Sequence, residues 1–242
     1  MRWVGNFQIH GHDMDFQGVA KASAVVEYMQ EAARKHVDIC PSVLKSIKEN
    51  NAVFVLSRLV LSNYKSLRAD DELIVETWAA KSHGVSYPRY TKMYMEGRLT
   101  AEMAAIWTTI NAETRRIVRM GDVMDTIAIS DELSMDIPAR LRIPQNLTMY
   151  LMGEYRVNYS VCDSNKHMNN VRYVDMFSDY IGEDLKNKRI TNVDITYVSE
   201  AAMGETLRIY SSKDIDDGRY YLRAVRSDDK VCAEAQIITD FI

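Results

Sequence analysis

Asp163-Ser164-Asn165-Lys166-His167-Met168-Asn169-Asn170 is the densest polar segment of this 242-residue chain, and it runs directly into the apolar Val171, Tyr173 and Val174. Read outward, it joins a strand to a helix. Upstream, Tyr155–Tyr159 has strand character. Downstream, Asn170–Ile181 has helical spacing and ends at Gly182. Strand-like runs follow at Arg189–Val198, Thr206–Asp214, Arg219–Ser227 and Val231–Ile242, with Asp216-Asp217-Gly218 reading as a hairpin turn.

The first half carries the same order. Phe7–His12 reads as a strand and Lys21–Asp38 as a helix. In that helix Val25, Met29, Ala32 and His36 recur at spacings of four, three and four, and Val26, Ala33 and Val37 widen the stripe, as suits a helix wrapped by other structure. Pro41 and Ser42 open a shorter helix through Val43, Leu44 and Ile47. Strands follow at Ala52–Tyr64, Leu73–Ser82, Tyr87–Glu96 and Leu99–Asn111, with Glu96-Gly97 as a tight turn. Phe7, Ile9 and Asp15 stand 148 positions before Tyr155, Val157 and Asp163; Leu73 and Val75 stand 134 before Leu207 and Ile209. Periodicity fades between Asp131 and Met149, where Pro138 and Pro144 interrupt it. The chain therefore reads as two tandem α+β domains, residues 1–130 and 151–242, joined by a linker at 131–150.

The polar segment is where the halves differ. Asn169 or Asn170 can cap the following helix, and the amides of that first turn can stabilise negative charge on a substrate oxygen. A histidine and a carboxamide just ahead of such a helix are what attack on a carbonyl requires. The matching stretch of the first half, Asp15 to Ala22, offers Gln17, Val19 and Ala22 where the second has Asn165, His167 and Asn170. The connection is thus made once without these groups, and geometry alone does not demand them.

Asp163, Asn165, His167, Met168, Asn169, Asn170 and Tyr173 together form DxNxHMNNxxY, which closely resembles the signature of the acyl-acyl carrier protein thioesterases of bacteria and plastids. Tyr28-Met29-Gln30-Glu31-Ala32-Ala33 is similar to that family's first-helix segment, and Trp107 with Glu113-Thr114-Arg115-Arg116-Ile117-Val118 to its strand and turn. The resemblance implies two tandem hotdog domains, each an antiparallel sheet wrapped around a long helix. It implies a thioester hydrolase that releases fatty acids, with Asp163, Asn165, His167 and Glu200 as the catalytic set. Asn169 and Asn170 would bind substrate, and the first domain would hold the acyl tail around Tyr28, Met29 and Trp78. Many plant members carry cysteine after the glutamate; Ala201 stands here, so a thiol at that position is not essential if activity is kept. Glu200 would act as general base or as nucleophile, His167 and Asn165 would position water and carbonyl, and Asp163 would orient His167 or the loop. No cofactor is called for. The partner would be an acyl carrier protein, and a homodimer would suit the sheet-rich architecture.

The bulk properties agree. A net charge of −4 argues against general nucleic-acid binding. No run approaches the roughly 18 apolar residues of a membrane span, and no basic-then-apolar opening marks a secretory signal, so the expectation is cytoplasmic. Cys40, Cys162 and Cys232 form no CxxC pair, and Cys162 should face away from a site that Asp163 faces. His10-Gly11-His12-Asp13 lacks the downstream ligands a metal site needs, so a metal is not expected. The fourteen methionines read mainly as core filler. Arg34, Lys35, Lys45, Lys48, Arg115 and Arg116 read as solvated surface that could also meet an acidic carrier. Three rival readings remain: an acyl-CoA thioesterase of the same fold, a non-catalytic acyl-binding module, and a hotdog dehydratase.

Overall fold

The computed structural model describes residues 1–129, 134–138, 140–212 and 218–242. The apolar stripe decides the first helix, α1 (Ala22–Asp38): Val25, Val26, Met29, Ala32 and His36 are fully buried on it. Full burial of a side chain of Val or Met size is worth about 1.5–3 kcal/mol, so packing rather than propensity holds this helix in place. Around it run β1 (Trp3–Gln8), α2 (Pro41–Glu49), β2 (Ala52–Asn63), β3 (Glu72–Ala79), β4 (Tyr87–Met95), β5 (Arg98–Asn111) and α3 (Gly121–Asp125). The second half comprises β6 (Tyr150–Arg156), α4 (Arg172–Asp179), β7 (Lys188–Tyr197), β8 (Thr206–Ser211), β9 (Arg219–Arg226) and β10 (Val231–Phe241).

The ten strands form one antiparallel sheet in the order β1-β3-β4-β5-β2-β7-β10-β9-β8-β6. Each half contributes the same order, and the two meet at β2 and β7 as mirrored sequences. The seam pairs Leu59 with Ile195 and Leu61 with Val193. It is also bonded by polar groups: the buried Arg58 makes an ion pair with Asp194 and donates to the Ile195 carbonyl at 2.9 Å and the Pro138 carbonyl at 3.0 Å. One continuous core, from Ile9 and Met29 to Phe177 and Ile237, runs through both halves. An antiparallel sheet curled around a central helix, made twice in one chain, is a tandem hotdog arrangement.

Several edges moved. The strand expected at Phe7–His12 lies at Trp3–Gln8, because His10 to Asp13 turns instead, with the His10 amide donating to the Asp13 carboxylate at 2.8 Å. The strand expected at Tyr155–Tyr159 likewise begins earlier, at Tyr150, for the matching reason: Tyr159–Val161 forms a one-turn 3-10 helix. Tyr150, Leu151 and Met152 are exposed at the sheet's edge, so no alternation of apolar and polar residues marked them. The expected helix Asn170–Ile181 contracts to α4, since the Asn169–Val171 turn precedes it and Gly182–Leu185 forms a separate turn. Glu96 and Gly97 both have positive φ, 50° and 74°, as a two-residue hairpin turn requires. Asp216 and Asp217 of the other expected turn lie outside the described residues. No helix among those described is long and apolar enough to cross a membrane.

Candidate active site

Both halves build the same loop ahead of the central helix. In the first, Asp15 Oδ1 accepts the Gln17 amide at 2.8 Å and the Val19 amide at 3.0 Å; in the second, Asp163 Oδ1 accepts the Asn165 amide at 2.8 Å and the His167 amide at 3.3 Å. Each aspartate's amide donates across the loop at 2.8 Å, to the Val19 or the His167 carbonyl. The position between takes a left-handed backbone in both, Gly18 at φ 72° and Lys166 at φ 63°. Glycine does this freely, whereas lysine does so at a cost of about 1–2 kcal/mol. Asp163 is therefore a loop-forming carboxylate with a twin in the other half. Asn165 and His167 have no such twins.

The loop, β2 and the segment after β7 enclose a cavity of about 130 Å³, lined among others by Asp163, Asn165, His167, Asn170, Tyr173, Tyr197, Ser199 and Glu200. The His167 Nε2 stands 3.8 Å from Glu200 Oε2, close enough for one water beside the pair to bond to both. Glu200 Oε1 is held by Arg115, which reaches over from the first half. Arg115 was read from sequence as solvated surface; its place beside Glu200 was hidden because 85 positions separate the two. The signal that could have found it was the Glu113-Thr114-Arg115-Arg116 turn itself. Asn111 Oδ1 collects the Glu113 and Thr114 amides at 3.1 and 2.9 Å, and Arg115 is fixed at φ 58°.

The helix start is less open than its sequence suggests. Neither Asn169 nor Asn170 caps it: the N-cap is Val171, with no side-chain cap bond, and Asn169 Oδ1 instead accepts the Val171 amide at 2.9 Å in the turn ahead of the helix. The amides of Arg172, Tyr173 and Val174 already donate to Asn169, Asn170 and Val171 carbonyls. Among the described residues this leaves the Asn170 amide as the one in that turn without an acceptor, and Asn170 lines the cavity. The buried Tyr197 hydroxyl fixes that residue by donating to its carbonyl at 2.9 Å. Burial pushes the Tyr173 and Tyr197 hydroxyls far up, so both stay protonated donors. Cys162 lines neither this cavity nor the larger one described next, and donates to the Asn158 carbonyl at 3.2 Å. Ala201 points into the core, so the position after Glu200 does not face the cavity.

A larger cavity of about 440 Å³ adjoins this one, Phe54 lining both. Its walls come from α1 (Ala33, Val37), from Ala79, Tyr87, Trp107 and Met124, and from Asn169 and Val171 at the head of α4. The residues expected around an acyl tail are placed otherwise. Met29 is sealed in the main core, Trp78 packs against Tyr90 and Ala104, and the Tyr28 hydroxyl donates to Asp13 at 2.6 Å. None of the three lines the cavity. The stripe that buries a helix faces the sheet's interior; a channel runs along its flank, which hydrophobic periodicity does not mark. The His10 and His12 rings stack on each other and line neither cavity.

Comparison with known proteins accords with this geometry. The acyl-ACP thioesterase N-terminal domain family matches residues 2–127, and the C-terminal domain family matches residues 144–242. The dodecanoyl-[acyl-carrier-protein] hydrolase of Cinnamomum camphora chloroplasts is 21% identical over 221 residues, covering 84% of this chain and 57% of its own length. A chloroplastic palmitoyl-acyl carrier protein thioesterase of Arabidopsis thaliana is 23% identical over 184 residues, covering 70% of this chain and 44% of its own. The chain thus spans about half the length of the curated relatives it matches. Among solved structures, an acyl-ACP thioesterase from Bacteroides thetaiotaomicron superposes with a TM-score of 0.86 at 20% identity, covering 99% of this chain and 98% of that one. The 12:0-ACP thioesterase of Umbellularia californica gives 0.85 at 15% identity, covering 100% and 98%. With a tandem hotdog architecture, one armed loop of two, and family matches to both halves, the chain belongs to the acyl-ACP thioesterase family.

Proposed function

We propose that this protein hydrolyses acyl-acyl carrier protein thioesters to free fatty acids, with the second domain (151–242) catalytic and the first (1–130) housing the acyl tail. The observation that carries the reading is the convergence of Asn165, His167 and Glu200 on one small cavity that meets a larger apolar one at Phe54. A water bonded to both His167 Nε2 and Glu200 Oε2 is poised between a base and a positioning group. Glu200 takes one proton from it as the oxygen adds to the thioester carbonyl carbon. Asn165 orients the carbonyl, and the Asn170 amide receives the oxyanion. As the tetrahedral intermediate collapses, the carbon–sulfur bond breaks and the carrier's sulfur leaves with the proton from Glu200, giving carboxylic acid and thiol. General-base help is worth ~10²–10⁴-fold and each oxyanion donor ~10²–10³. With Oε1 held by Arg115, Glu200 has one oxygen free, which suits a base activating water.

The carrier reading has a surface to match in part: Arg34, Lys35 and Lys45 are engaged by acidic neighbours on their own helices, whereas Lys48 and Arg116 have no ion pair among the described residues. Steady-state hydrolysis of one acyl chain on acyl carrier protein and on CoA tests the proposal. Higher kcat/KM on the carrier protein is expected, together with losses of ~10²–10⁴ in Glu200→Ala and His167→Ala. Folded variants with full activity would defeat the site assignment. A parent inactive on every acyl carrier would favour the acyl-binding module.

A further inference from the structure

Beside its apolar walls the larger cavity carries Glu27, Glu31, Arg34 and Arg89, and of these Arg89 alone has no ion-pair partner among the described residues. Arg89, from β4, lines it with its side chain 5% exposed. Its Nη1 lies 3.0 Å from His36 Nδ1 and donates to Thr77 Oγ1 at 3.3 Å. Neither partner is negative. Burial and the guanidinium hold His36 down to about 4, so its ring is neutral near pH 7, with Nδ1 the acceptor. Of the other ionisable groups that act on this cluster, Cys40 is a thiol that burial pushes up, and the N-terminal ammonium is itself positive. Burial holds Arg89 itself down to about 10, which leaves it charged at neutral pH. Among the described residues no carboxylate forms an ion pair with it, and the buried His36 Nε2, then a donor, has no partner either. The acidic side chains on the cavity wall, Glu27 and Glu31, are bound to Arg172 and Arg34. A buried cation without a counter-charge is costly, and in a cavity open to a ligand it is a site for an anion.

Phe54, where the two cavities meet, pairs with Thr109 on β5; Arg89 pairs with Ala105 on the same strand. Four residues of strand place Arg89 about 13 Å further along the sheet than Phe54. Resting on the acyl-site reading above, we infer that Arg89, positioned by His36, forms a subsite for a carboxylate at the far tip of the acyl chain, so that ω-carboxyacyl thioesters are preferred over plain alkanoyl ones of equal length.

The test reads binding apart from turnover. Isothermal titration of the whole protein at neutral pH with monomethyl decanedioate, which carries one terminal carboxylate, and with methyl decanoate, which carries none, is expected to show the half-ester of the dioate binding about tenfold tighter or more, as one charge-assisted contact permits. Arg89→Met should erase that difference, and Arg89→Lys should keep part of it. Equal binding of the two esters by the parent overturns the inference, even if neither variant folds. So does a preference that survives in Arg89→Met. A parent that hydrolyses alkanoyl thioesters without favouring dioates refutes the subsite alone. A parent that favours dioates yet hydrolyses nothing refutes the enzyme reading alone.

Discussion

Replacing Arg115 by alanine removes the ion pair through which the first half holds the proposed base. The turn that carries Arg115 does not depend on its side chain: Asn111 holds it through the Glu113 and Thr114 amides, and the Arg115 amide donates to the Asn111 carbonyl at 3.0 Å. Both partners of the ion pair are more than a third exposed, with side chains 38% and 39% accessible, so solvent screens it. Exposed pairs contribute about 0.2–1 kcal/mol, which for a chain this size moves Tm by less than about 4 °C. The catalytic effect should be larger. Without Arg115, Glu200 Oε1 is free and the carboxylate can rotate away from His167. We expect kcat to fall by about 10–10²-fold, less than the ~10²–10⁴ of a lost base, with KM little changed. Arg115→Lys should restore part of the rate, and millimolar guanidinium chloride should rescue Arg115→Ala and leave Glu200→Gln unaffected. An Arg115→Ala enzyme with unchanged kcat, or one that guanidinium cannot rescue while its Tm collapses, refutes the positioning argument.

The two loop aspartates offer a matched control. Asp15→Ala and Asp163→Ala each strip two amides of their acceptor and should cost a similar ~1–3 kcal/mol in denaturant unfolding, but only Asp163→Ala should depress kcat; equal loss of activity in both would deny the asymmetry. His36 gives a pH signature. Its folded pKa of about 4 lies below the ordinary 6.5, so its contribution is complete above pH 6.5 and is lost as pH falls towards 4, by about 3 kcal/mol at one site. His36→Gln should flatten that part of the stability–pH curve, and an unaltered curve would remove His36 as the cause. Finally, a single turnover in ¹⁸O-water should leave Glu200 unlabelled if it is a base, as peptide mass spectrometry would read; ¹⁸O in the Glu200 carboxylate would make it the nucleophile.

Much of this fold could be read from residue order because its cores are periodic. The α1 stripe of Val25, Met29, Ala32 and His36 is buried as its spacing demanded, and Glu96-Gly97 turns as a pair able to take positive φ must. The offset between Asp15 and Asp163 corresponds to one loop made twice, bond for bond. Edges were less legible: β6 begins in exposed apolar residues whose pattern carries no alternation. The candidate site was legible where its groups share one segment, as Asn165, His167 and Asn170 do, whereas Glu200 came only from the family resemblance.

Sequence alone therefore determined the repeated order of elements, the buried face of the long helix and the half that bears the polar loop. Those depend on local spacing and on side-chain chemistry within a few residues. Only the tertiary structure decided that Arg115 grips Glu200, that Arg89 stands in the cavity wall with no ion-pair partner among the described residues, and that Tyr28, Met29 and Trp78 lie off it. Each of these depends on which strand lies beside which, and that is set by long-range pairing across one ten-stranded sheet rather than by neighbours in the chain.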